Sequence, residues 1–117
     1  MEFLQHVAST ISPSFSDAIS VTTPSGTGIF ISGQLGVPWP PETGSVAFED
    51  EVRITFECLR SSLGAGMTHV VNIKTFVTDL GTYGVYSRIR GECFPKNPPT
   101  STAVQVTGLL LNAKIEI

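Results

Sequence analysis

Pro98-Pro99-Thr100-Ser101-Thr102-Ala103-Val104-Gln105-Val106 is the stretch from which the rest of the architecture can be read outward. Two adjacent prolines end any preceding helix and hold the chain extended, and the residues that follow predict a strand over Ala103 to Thr107. A strand that begins at such a junction leaves its first N–H groups unpaired. That geometry suits a small anion when a cation lies beside it, but the place for the cation is taken by Ser101.

Working back from this junction, Tyr83 to Phe94 reads as a helix with Tyr86, Ile89 and Cys93 on one stripe. Gly84 and Gly91 weaken it by about 1 kcal/mol each relative to alanine, so docking must hold it. Val70 to Thr78 alternates, with Val71, Ile73, Thr75 and Val77 on one side and Asn72, Lys74 and Phe76 on the other: a half-buried strand. A longer helix precedes it, capped by Ser45, with Glu49, Asp50 and Glu51 in its first turns, where negative charge is favoured. Its stripe is Phe48, Val52, Thr55, Phe56, Leu59 and Leu63, and Gly64 and Gly66 stop it. Earlier still, Ile19 to Thr23 and Gly28 to Ser32 flank the turn Pro24-Ser25-Gly26-Thr27 and predict a hairpin. Pro38, Pro40 and Pro41 around Trp39 make residues 33–44 a surface loop, and a final strand is expected over Ala113 to Ile117. Two helices on one face of a mostly antiparallel sheet give an α+β fold, one domain spanning residues 1–117, with the other sheet face or its edge left to a partner subunit.

Composition narrows the function classes. Charged residues are 15% of the chain, the net charge is −3, and the seven Lys and Arg form no block, which disfavours a nucleic-acid partner. No apolar run approaches a membrane span, and Met1 to His6 lacks the basic and apolar regions of a secretory signal, so a soluble cytoplasmic protein without a membrane partner is expected. Cys58 and Cys93 lack metal or redox spacing and fall in apolar helix sequence, as ordinary reduced thiols do. His6 and His69 have no ligand-spaced companions, and no phosphate-binding glycine loop is present, so neither a metal nor another cofactor is expected.

Four stretches, in this order, carry a family resemblance: Ile29-Phe30-Ile31-Ser32-Gly33-Gln34, Asn72-Ile73-Lys74-Thr75-Phe76-Val77-Thr78-Asp79, Phe94 through Pro99, and Lys114-Ile115-Glu116. Together they resemble the RidA (YjgF, endoribonuclease L-PSP-like) family of small imine and enamine deaminases along nearly the whole chain. The resemblance implies a fold similar to bacillary chorismate mutase, assembled as a homotrimer with a small-molecule cleft between subunits. In that family an arginine holds the substrate carboxylate, nearby backbone N–H groups assist, and a terminal-strand glutamate helps water attack the imine carbon. Ser101 falls at the arginine, followed by Thr102, with Ala103 at the backbone donor, Glu116 at the glutamate and Ser32 in the Ser-Gly-Gln motif. Phe15 falls near a family tyrosine without its hydroxyl, and Ser87 stands where some members have asparagine.

The implied site is therefore catalytic Glu116 and Ser32, with Ser101, Thr102, Ala103, Phe15 and Ser87 binding substrate. A hydroxyl cannot replace a guanidinium against a carboxylate, so weak hydrolysis of simple imino acids is expected unless Arg88, Arg90 or Lys96 turns inward. Plainer roles stand beside these: Glu116 as a solvated edge carboxylate, Ser32 as a turn hydroxyl, and Trp39 as a loop anchor rather than a lid. Two functions follow, a hydrolytic deaminase with an altered pocket and a non-catalytic trimer that binds a small metabolite. A ribonuclease, a label some relatives carry, fits the acidic composition poorly.

Overall fold

The computed structural model describes residues 3–37, 46–64 and 66–117. Strands β1 (Leu4–Ala8), β2 (Ser16–Thr23) and β3 (Gly26–Ile31) form one antiparallel meander. After helix α1 (Phe48–Leu63), strand β4 (Asn72–Val77) leads to helix α2 (Tyr83–Cys93), then to β5 (Thr100–Gln105) and the short β6 (Ile115–Glu116). β4 is the middle of the second sheet, parallel to β5 and antiparallel to β6. The two sheets are joined where the chain leaving β3 meets the C-terminus: Gln34 N–H donates to the Ile117 carbonyl at 2.8 Å, Ile117 N–H donates back at 3.2 Å, and Leu35 bridges Glu116. One sheet face thus runs from β1 to β5, and the α+β architecture is as expected.

Alternation on β4 divides the molecule into a packed face and an open one. Ile73, Thr75 and Val77 are buried toward the helices against Val52, Phe56 and Leu59 of α1, Tyr86 and Ile89 of α2, and Phe94, Ile115 and Ile117. Phe56 stacks on Tyr86 with ring centroids 6.1 Å apart and meets Phe94 edge-on, and the Tyr86 hydroxyl reaches Thr75 Oγ1 at 2.6 Å, so the core contains a satisfied polar pair. On the other face no helix among the described residues covers Phe30, which is 70% exposed, or Val104.

Two close contacts lock α1 in place, one to the C-terminal strand and one to the segment after β3. Glu51 is buried, and its Oε2 accepts the backbone N–H groups of Lys114 at 2.7 Å and Ile115 at 3.1 Å. Gly36 lies so close to α1 that an added Cβ would strike the Glu51 carbonyl oxygen and sit 2.7 Å from Thr55 Oγ1.

Several boundaries differ from the sequence expectation. β1 was not anticipated, because its sequence Leu-Gln-His-Val-Ala alternates too little, and it exists by pairing with β2. β5 starts at Thr100, immediately after Pro99, so Ser101 and Thr102 lie inside the strand rather than at its approach. Val71 precedes β4 and is 80% exposed instead of joining the packed side. α1 begins at Phe48 with Ala47 as its N-cap and no side-chain cap; the expected cap Ser45 and the Trp39 loop lie outside the described residues. Gly64, in the left-handed region at φ 63°, ends α1 as its sequence predicts.

A candidate active site in two halves

The residues singled out above fall into two groups. The first gathers where the sheets join. Ser32 directly follows β3, and its hydroxyl donates to the Ser16 carbonyl at 2.6 Å, pinning the end of β3 to the start of β2 beside Phe15. Gly33 follows, and a Cβ built there would lie 2.7 Å from Glu116 Oε1, so the Glu116 carboxylate rests directly against the Gly33 backbone. Glu116 is half-buried, and among the described residues no cation or side-chain donor engages its oxygens. It is a poised, unspent acceptor. Ser32, by contrast, uses its proton structurally, in line with the turn-hydroxyl reading.

The second group lies at α2 and β5. Ser101 pairs with Ile73 and Ala103 with Thr75, so both side chains point toward the helices. There Arg90 of α2 reaches over: Nη1 donates to Ser101 Oγ at 3.0 Å and to the Tyr83 hydroxyl at 3.3 Å, and Nη2 donates to Ser87 Oγ at 3.2 Å. Its guanidinium also lies 5.3 Å from the Tyr86 ring centroid and 5.7 Å from that of Tyr83. Partial burial opposes the Arg90 charge, the phenol oxygens of Tyr83 and Tyr86 support it, and the group stays above its ordinary pKa. The other helix cation, Arg88, is taken up by Glu49 at 3.2 Å and Glu92 at 3.8 Å, while Lys96 is exposed in the loop after α2.

Backbone direction adds donors to this second group. Thr100 N–H donates to the Val71 carbonyl and Val106 N–H to the Val77 carbonyl, so even-numbered residues of β5 face β4. The N–H groups of Ser101 and Ala103 then face the outer edge, where no described strand pairs with them. They are exposed because β5 is an edge strand, not because the strand begins there. Thr102 parts from its neighbours: its N–H is turned to β4, and its side chain shares the open face with Lys74. Arg90 could not be selected from sequence, since nothing in the order of residues distinguishes it from Arg88.

Within one chain the two groups cannot share a ligand. Glu116 pairs with Phe76, whose side chain points to the open face, whereas Ser101 pairs with the buried Ile73. The sheet stands between them.

Both cysteines are free. Burial, and then the charge of Glu57, pushes the Cys58 thiol up; burial, and then Glu92, does the same for Cys93.

Residues 8–117 match the family model described as endoribonuclease L-PSP. The chain belongs to this family, the RidA (YjgF) family. It is 31% identical over 109 residues to protein DfrA of Myxococcus xanthus, covering 88% of this chain and 80% of that protein. It is 36% identical over 96 residues to the chloroplastic Reactive Intermediate Deaminase A of Arabidopsis thaliana, covering 76% of this chain and 50% of that one. The fold matches yeast Mmf1 with a TM-score of 0.83 at 18% identity, covering 97% and 93% of the two chains. RidA from Psychrobacter sp. PAMC 21119 gives a TM-score of 0.74 at 23% identity, covering 99% and 94%. The matched span of the RidA family model takes in both halves of the site.

Proposed function

We propose that this RidA-family chain is a hydrolytic deaminase of a small enamine or imine, working as a homotrimer with its substrate in clefts between subunits. The observation that carries the reading is the Glu116 carboxylate, half-buried against Gly33 and free of any described cation or side-chain donor. The relative named Reactive Intermediate Deaminase A supports it. In the reaction, water adds to the imine carbon, Glu116 accepts the water proton and returns it to the nitrogen, and the carbinolamine collapses to a carbonyl and ammonia. Assembly supplies what one chain lacks: with the halves on opposite sheet faces, only a neighbouring subunit can set Ser101, Ala103 and Ser87 against Glu116, Gly33 and Phe15. The open apolar face bearing Phe30 and Val104 fits burial in such an assembly.

The test is ammonia release from freshly generated 2-iminopropionate. The wild type should release it faster than the buffer reaction, and Glu116→Gln should be slower by roughly 100-fold or more. Saturable binding of 2-oxo acids with no ammonia release would instead favour the non-catalytic metabolite binder.

A further inference from the structure

The chain has four arginines. Arg53 pairs with Glu49 and Glu92, Arg60 with Glu57, and Arg88 with Glu49 and Glu92. Arg90 alone has no carboxylate among the described residues. Its hydrogen bonds go to neutral hydroxyls of Tyr83, Ser87 and Ser101, and two tyrosine rings hold its plane. A half-buried guanidinium that is held in place yet uncompensated is a standing attraction for an anion. Beside it, the outward N–H groups of Ser101 and Ala103 add two donors of the same sign on a rigid strand. Ser87 and Ser101 can accept from Arg90 while offering their own protons to the same ligand.

We infer that Arg90, projecting from α2 across Ser101, is the carboxylate-binding residue of this protein, and that its ligand carries a carboxylate seated between the guanidinium and the β5 edge. The ligand class is a small carboxylate, whose planar group matches the two-pronged guanidinium and the paired strand N–H groups. The link to catalysis rests on the deaminase reading above; the binding assignment does not.

Pyruvate, which cannot be deaminated, separates the two. Its binding is followed by titration calorimetry on the intact protein, alongside ammonia release from 2-iminopropionate. Wild type should bind pyruvate saturably, and Arg90→Gln should bind it at least about tenfold more weakly. The double variant Arg90→Gln/Ser101→Arg, which moves the guanidinium from helix to strand, should recover much of the loss, a result that general damage to folding cannot produce. Arg90→Gln that is folded by thermal melting and binds pyruvate as the wild type does overturns the assignment, as does a wild type that shows no pyruvate binding. If Arg90→Gln is unfolded, Ser101→Arg alone decides: crowding a second guanidinium onto Arg90 should change pyruvate affinity several-fold, and no change overturns the assignment. Pyruvate binding that depends on Arg90 in a protein releasing no ammonia upholds the carboxylate site and sinks only the deaminase reading.

Discussion

Gly33 and Glu116 form the most sensitive contact at the scale of single residues. The Glu116 carboxylate occupies the space that a Cβ on Gly33 would need, with Oε1 only 2.7 Å from that point. Because the obstacle is the end of a side chain, Gly33→Ala should fold with little loss of stability and displace the carboxylate, lowering ammonia release roughly tenfold or more. A melting curve beside the assay separates the two effects. The family resemblance placed Ser32 and Gly33 in the Ser-Gly-Gln motif and Glu116 separately on the terminal strand, but could not show that the Ser32 proton is spent on the Ser16 carbonyl. Rotamer and partner are properties of the folded neighbourhood, and the same holds for Arg90, whose direction depends on α2 docking against β5. The cysteines give a pH prediction. Burial raises both thiol pKa values, so the thiolate is scarcer in the native state than in the unfolded chain. Iodoacetamide labelling of the native protein should therefore be slower than that of the denatured protein at neutral pH. By linkage, the thiols' contribution to stability is present below the ordinary thiol range and is lost as pH rises through the raised values. Equal labelling rates would contradict this.

At the scale of elements, the attachment of α1 to β6 positions the Glu116 carboxylate. Glu51 was read as a first-turn acid favoured by the helix dipole, but it is buried and caps the N–H groups of Lys114 and Ile115, one residue before Glu116. Only a contact 63 residues away in sequence reveals that role. Glu51→Ala would leave two buried donors unmatched and should cost about 2–4 kcal/mol by denaturant unfolding. Gly36→Ala should also destabilise, by about 2–3 kcal/mol, since here the obstacle is α1 backbone and cannot swing aside. The helix stripes and the β4 alternation were legible because burial imposes their periods of 3.6 and 2. β1 was not, because a strand held mainly by a neighbour's hydrogen bonds need not carry an apolar pattern. The start of β5 was misplaced by three residues because Thr100 to Thr102 are polar in a strand whose outer edge faces away from the core.

At the scale of the whole molecule, the sheet separates Glu116 from Ser101 and Arg90, and under the proposed function that separation makes the site a property of an assembly. Light scattering coupled to gel filtration should give three times the 12.5 kDa chain mass. The most direct test mixes two impaired parents, Glu116→Gln and Arg90→Gln, each keeping the half-site that the other lacks. In a cyclic trimer every mixed assembly contains one cleft with both wild-type halves. Random mixing in equal amounts, by refolding together, should therefore restore about a quarter of wild-type ammonia release. Mixed trimers demonstrated by native mass spectrometry but no more active than their parents would contradict the shared cleft.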